Sequence, residues 1–218
     1  MSLTSGWAAR GVRAFVRGSY RFFVFMARVT GLFRVVLSPD DRRTLAACRG
    51  RVVVMNHLSL IDVIVLMAQM PDSSCVVKGG VRRNLFLRAV AKSVFLLNDG
   101  DAVQTLAQAT SLLRAGVNII VFPEGTRTPA DSSNRRLHRG AARLALAAGA
   151  EILPVRLDLD PPVLAKGQPW WEVGERTIRY GLRTLPAIST SCRTCDHAQA
   201  VALTVEIGRR LFPMATGG

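Results

Sequence analysis

His57 and Asp62 interrupt the stretch VVVMNHLSLIDVIVLM, residues 52–67, in which nearly every neighbour is apolar. An imidazole with a carboxylate one turn away has the makings of a general base. The carboxylate takes the Nδ1 proton, fixes the tautomer and leaves Nε2 free to receive a proton from a reacting group. A plainer account covers part of the stretch, because Ser59-x-x-Asp62 also reads as a capping box opening a helix. It leaves His57 unexplained. A second stretch, VFPEGTRTP at residues 121–129, again follows an apolar run. Pro123 stops strand pairing, Gly125 lets backbone N–H groups approach an anion, and Arg127 has the fork geometry for a phosphate. The alternative is a tight loop stitched by a Glu124–Arg127 pair.

The elements that must position these residues alternate in type. Strands are expected at 52–55, 74–77, 94–97, 117–122 and 152–155. Helices are expected at 59–70, near 82–92, from a cap at Asp101 with Gln104 to Gly116, and at 140–148, stopped by Gly149. Such alternation predicts an α/β fold with a mostly parallel central sheet flanked by helices, and sites at the carboxyl ends of strands. Both stretches fall at strand ends. With no repeat or long linker, the reading is a single domain over 45–218, its chemistry within 45–160 and a strand and helix extension over 161–218, preceded by an N-terminal segment, 1–44.

That segment is a basic amphipathic helix. At about 100° per residue Arg10, Arg13, Arg17, Arg21 and Arg28 fall in a sector roughly 80° wide, with Phe15, Phe22, Met26, Val29 and Phe33 on the other side. The arginines break every run that could span a bilayer. An all-Arg polar face with no carboxylate favours a helix lying in a membrane interface over one that merely turns its phenyl rings to the core. The whole chain carries 29 Lys+Arg against 15 Asp+Glu, a net +14, so an anionic partner is implied: nucleic acid, bilayer or a phosphorylated small molecule.

Other classes fit less well. No G-x-S-x-G occurs, as a serine hydrolase with a nucleophile elbow would require. Aromatic residues are not interleaved with basic ones in the core, which argues against nucleic acid. Cys192-x-x-Cys195 with His197 is half a zinc site without a second half, so no metal is expected. The four cysteines are too scattered for a disulfide framework and suggest a reducing compartment.

Together the two stretches resemble the glycerolipid acyltransferases of the lysophosphatidic-acid acyltransferase type. The N-H-x-x-x-x-D box is Asn56-His57 through Asp62, the F-P-E-G-T-R box is Phe122 to Arg127, and the spacing between them fits. Arg139-Gly140-Ala141-Ala142 and Ile152-Leu153-Pro154-Val155 extend the likeness, as does the N-terminal membrane-docking helix. The resemblance implies acyl transfer from acyl-CoA or an acyl carrier protein to a lysolipid hydroxyl, with no cofactor. In that reading His57 is the base and Asp62 orients it. Gly125, Thr126 and Arg127 hold phosphate, and Glu124 fixes the loop or the acceptor. Lys78, with Arg82, Arg83 and Arg88, would meet the donor, and Trp170-Trp171 would sit at headgroup level. The implied location is peripheral, on the cytoplasmic face of the inner membrane.

One block departs from that pattern: the family's Arg after an apolar strand is replaced by Asn98-Asp99. A neutral or zwitterionic acceptor is therefore expected. With PPVLAKGQPWW at 161–171, the chain is similar to a subgroup of specialised acyl-lipid or aryl-polyene pathways. A non-catalytic membrane-binding protein on the same scaffold is the remaining alternative, and the intact His57 and Asp62 weigh against it.

Overall fold

The computed structural model describes residues 6–78, 95–98, 101–129, 132, 135–165, 167–168, 176–190 and 196–213. The expected helix near 82–92 with its basic residues, Trp170-Trp171 and Cys192-x-x-Cys195 lie outside the described residues.

Val52, Val53, Val54 and Met55 are wholly buried, which a strand achieves only at the centre of a sheet covered on both faces. This strand, β2 (Val52–Met55), follows α1 (Trp7–Val29), β1 (Phe33–Val36) and α2 (Pro39–Ala47). After it come α3 (Asp62–Gln69), β3 (Ser73–Lys78), β4 (Phe95–Asn98), α4 (Ala102–Arg114), β5 (Asn118–Val121), α5 (Gly140–Ala148), β6 (Ile152–Asp160), β7 (Ile178–Thr184) and α6 (His197–Leu211). The seven strands form one sheet in the order β1-β7-β6-β2-β5-β3-β4. β6, β2, β5, β3 and β4 are parallel, while β7 runs antiparallel to β6, and β1 parallel to β7.

One apolar cluster joins α1, α2 and α3 to the sheet, and a second joins α4, α5 and α6 to its other face. The expected α/β domain with a mostly parallel, helix-flanked sheet is therefore present. The sheet changes direction of growth at β2, since its neighbours β6 and β5 lie on opposite sides. Loops leaving β2 and β5 then diverge from adjacent strand ends and frame a crevice.

Local signals set several boundaries. Ser38 accepts the Asp41 N–H at 3.0 Å with Pro39 opening α2, and Asp101 accepts the Gln104 N–H at 2.9 Å at the start of α4, as expected. Gly149, at φ 63°, ends α5 in the left-handed conformation. The expected strand at 152–155 runs on to Asp160 because β7 pairs with its outer half. The helix expected at 59–70 begins at Asp62 instead.

α1 forms where the Arg stripe predicted it, with its rings turned away from the core and Arg13, expected on the polar face, buried instead. Ala9, Arg13, Val16 and Ala27 are buried against the domain. Trp7, Phe15, Phe22, Phe25, Met26 and Val29 face outward. The core accepts little of the aromatic face: Phe33, just past the helix, is the ring it takes fully, packed on Tyr180 with centroids 5.2 Å apart. Arg13 turns inward, and its Nε meets Asp72 Oδ1 in the turn between α3 and β3 at 2.5 Å. No described helix is long and apolar enough to cross a membrane.

Arg13→Ala should lower stability by about 1–3 kcal/mol, because it leaves the Asp72 carboxylate without its buried donor. Arg10, 3.8 Å from Asp72 and largely exposed, should be replaceable with little change. Thermal unfolding of the two variants checks the contrast.

Candidate active site

His57 follows β2 and is held both by its own loop and by the segment after β5. Its Nδ1 lies 2.9 Å from Asp62 Oδ2. The same oxygen accepts the N–H groups of Leu58 and Ser59, each at 2.7 Å. Since Oδ2 is already an acceptor twice over, Nδ1 carries the proton and Nε2 is left as the basic nitrogen. Asp62 is wholly buried and Oδ1 has no hydrogen-bond partner among the described residues. Burial pushes its carboxyl above the usual range, and the bonds from His57 and the two N–H groups oppose that shift. The His57 side chain is 20% exposed.

Asp62 thus closes the loop and orients the ring with one oxygen. The capping reading is met only halfway: the Asp62 carboxylate takes the Ser59 N–H, but the Ser59 hydroxyl does not cap the helix. It accepts the Tyr180 hydroxyl at 3.0 Å. Both residues are fully buried. Tyr180 stands on β7, 121 residues away.

The second stretch grips the first. Phe122 stacks on the His57 ring with centroids 4.2 Å apart. Glu124 Oε2 accepts the His57 N–H at 2.8 Å, and the His57 carbonyl accepts the Thr128 N–H at 2.8 Å. Glu124 is 4% exposed. Burial raises its carboxyl, opposed by the His57 N–H and by Arg135, whose Nη1 lies 2.7 Å from Oε1. The cation paired with Glu124 is therefore Arg135 rather than Arg127. Gly125 sits at φ 65° with the His138 ring against it; a Cβ there would come within 3.0 Å of His138 Cδ2. Thr126 is exposed.

Arg127 is half-buried, and its Nη1 donates to the carbonyls of Leu164 at 2.8 Å and Ala165 at 3.1 Å. The Leu164 carbonyl also accepts the Leu60 N–H at 3.2 Å. Part of the guanidinium is thus engaged in holding the segment after β6. A cleft of about 340 Å³ opens beside Leu58, walled by Val36, Leu157 and Leu159 with Arg179, Asp158 and Asp160.

Lys78 and Asn98 end the adjacent strands β3 and β4 and pair in register. They lie at the carboxyl edge of the sheet, separated from β2 by β5. No group of three or more metal-ligating side chains occurs among the described residues. The Cys48 and Cys75 thiols are buried, and burial pushes them up to about 11 and about 12. Neither is a ready nucleophile.

Asn56 has a role its sequence position did not reveal. Its Nδ2 donates to the Leu157 carbonyl at 2.8 Å and its Oδ1 accepts the Leu157 N–H at 2.7 Å. The amide continues the β2–β6 ladder one step beyond Met55, and so sets where the chain turns into His57.

These features mark a class, an α/β protein with a mostly parallel sheet and an imidazole held by a buried carboxylate at a switch point. The sequence profile of the family described as Acyltransferase matches residues 37–158, and the chain belongs to that family. It is 30% identical over 167 residues to 1-acyl-sn-glycerol-3-phosphate acyltransferase alpha of Mus musculus, covering 71% of this chain and 55% of that protein. A 1-acyl-sn-glycerol-3-phosphate acyltransferase of Chlamydomonas reinhardtii is 29% identical over 185 residues, 80% of this chain and 52% of that protein. The chain spans about half the length of these curated relatives. The crystal structure of the 1-acyl-sn-glycerophosphate acyltransferase PlsC from Thermotoga maritima superposes with a TM-score of 0.69 at 22% identity, covering 91% of this chain and 78% of that one. The fold is shared.

Asn56→Leu should cost about 2–4 kcal/mol, since the Leu157 N–H and C=O both lose a buried partner. A lower urea midpoint with an unchanged slope is the expected result.

Proposed function

We propose that the protein transfers an acyl group from a thioester, acyl-CoA or acyl carrier protein, to the hydroxyl of a lysolipid. The observation that carries this reading is the His57–Asp62 pair. Nε2 takes the proton of the acceptor hydroxyl as its oxygen attacks the thioester carbonyl carbon. The tetrahedral intermediate then breaks its C–S bond, and the imidazolium returns the proton to the leaving thiolate. Asp62 holds the tautomer throughout and stabilises the imidazolium. No acyl-enzyme is needed, which agrees with two inert buried thiols.

The relatives' names favour a lysophosphatidic-acid type of acceptor. Gly125, Thr126 and the remaining donors of Arg127 are the groups offered to its phosphate. With Asn98 where the family has Arg, and Arg127 Nη1 turned to Leu164 and Ala165, that grip is weakened. A neutral or zwitterionic lysolipid is therefore accepted comparably well. The cleft beside Leu58 offers apolar walls to acyl methylenes. The outward rings of α1, with Arg10, Arg21 and Arg28 exposed on its flank, suit an anionic membrane surface, where rings enter the acyl region and guanidinium groups meet phosphates. Lys78 is offered to the donor at the sheet edge.

Incubation with acyl-CoA and acyl carrier donors and a panel of lysolipids, read by mass spectrometry, tests the reaction. Formation of no product with any pair would favour a binding role. His57→Ala should lose roughly 10²–10⁴ of the rate. Asp62→Asn should lose activity and some stability; full activity at a lowered melting temperature would reduce Asp62 to a loop fastener. Lysophosphatidic acid should be preferred over a zwitterionic acceptor by less than about tenfold, the effect of roughly 1.4 kcal/mol.

For the helix, replacing Phe22 and Phe25 by Ser should weaken binding to anionic vesicles in a sedimentation assay, since each ring withdrawn from the lipid forfeits about 1.5–3 kcal/mol. Added salt should weaken binding further through the exposed arginines. Binding indifferent to both changes would remove α1 from membrane docking.

A further inference from the structure

Arg135 lies outside both boxes, in a stretch with no sequence signal of its own, yet it reaches the carboxylate that holds the His57 main chain. Its Nη1 is 2.7 Å from Glu124 Oε1, with side chains 11% and 2% exposed. Its Nη2 donates to the Pro129 carbonyl at 2.6 Å. Its guanidinium carbon stands 4.4 Å over the ring of Phe212, just past the end of α6. One planar cation thus bonds the second box at Glu124 and the chain just past it at Pro129, and stacks on the C-terminal helix's exit.

We propose that Arg135 is a positioning residue, which keeps buried Glu124 ionised so that its other oxygen can hold the His57 N–H, and which makes that hold depend on Phe212. This inference rests on the reading of His57 as the base. A carboxylate this buried survives as an anion only with a cation and good donors beside it. Among the described residues, the charged and titratable groups that act on Glu124 are His57, with Asp62 behind it, and Arg135; His138 lies against Gly125, and Arg127 is turned to Leu164 and Ala165. Of these, Arg135 is the cation in hydrogen-bond contact with the carboxylate. Without it Glu124 would retain a proton to higher pH, and a neutral acid is a weaker acceptor for the His57 N–H. The ring of His57 would then drift relative to the acceptor hydroxyl.

The test combines Arg135→Met, Arg135→Lys and Glu124→Gln, singly and as Glu124→Gln with Arg135→Met. At neutral pH Arg135→Met should lower kcat by roughly ten- to a hundredfold with little change in KM, the pattern of a misplaced catalytic group. Its rate should climb with pH as Glu124 loses its proton, a limb displaced to higher pH than in the wild type, where Arg135 opposes the rise that burial imposes. Arg135→Lys, which keeps the charge, should remove most of that displacement. In the Glu124→Gln background Arg135→Met should change kcat no further and add no limb. Phe212→Leu should reduce kcat a few-fold in the wild type and not at all in Arg135→Met. Losses that multiply in the double variant, or an Arg135→Met profile parallel to the wild type, would overturn the proposal.

Melting temperature gives an arm independent of transferase activity. In Arg135→Met the folded-state pKa of Glu124 is raised further above its unfolded value than in the wild type, so more of its contribution to folding is present at low pH and lost as pH rises through that pKa. The wild-type minus Arg135→Met difference should therefore widen with rising pH above the ordinary carboxylate range, and should stay constant in the Glu124→Gln background. A constant difference in both backgrounds overturns the coupling. If the wild type shows no transfer with any donor and acceptor, the functional reading fails while this arm still decides the role of Arg135.

Discussion

The His57 main chain is held on both sides by a segment about 70 residues further along. Its N–H is taken by Glu124 and its carbonyl by the Thr128 N–H, while Phe122 lies on its ring. Two peptide-group bonds and one stacked ring leave the residue little freedom, and the general-base role we propose needs that fixity to keep the base within hydrogen-bond reach of the proton it takes. The rest of the architecture makes this possible. β2 and β5 must be parallel neighbours so that their loops leave the sheet side by side. Both must be buried on two faces, and α3 must begin at Asp62 for its carboxylate to reach back to Nδ1.

Legibility in the sequence followed distance along the chain. His57 and Asp62 lie within one loop and helix start, and the residues between them carry the pairing, so their relation was readable. The strand-helix alternation and the Arg stripe of α1 were readable for the same reason, as periodic local signals. The partner of Glu124 was not, because Arg127 stood nearer in sequence and Arg135 nearer in space. Ser59 read as a cap, but a tyrosine 121 residues away had a hydroxyl to place in the core and found the Ser59 oxygen. Asn56 gave no hint that its amide acts as a strand peptide toward Leu157. β1 was missed, and the strand expected within 161–218 could not be bounded: β1 and β7 pair at the sheet's antiparallel margin, where only one side is well buried.

The face of α1 illustrates how periodicity and burial carry different information. The pattern separates arginines from rings, and the apolar side of such a helix ordinarily turns inward. Here the inward contacts are made by Ala9, Val16 and Ala27 with Arg13, and the rings are left outside. Small residues allow the helix axis to approach α3 closely, and the Arg13–Asp72 pair then fixes its position. A third face, neither the buried nor the basic one, is thereby free for apolar contact.

Leu164 adopts φ 51°, a conformation that costs a side-chain-bearing residue of order 1–3 kcal/mol. Its carbonyl receives the Leu60 N–H beside Asp62 and the Arg127 guanidinium of the other box. The segment after β6 is therefore a shared clasp, and loosening it releases both boxes together. Segments linked in this way open as one cooperative unit, so amide protons at Leu60, His57 and Thr128 should exchange at a common rate set by a single local opening.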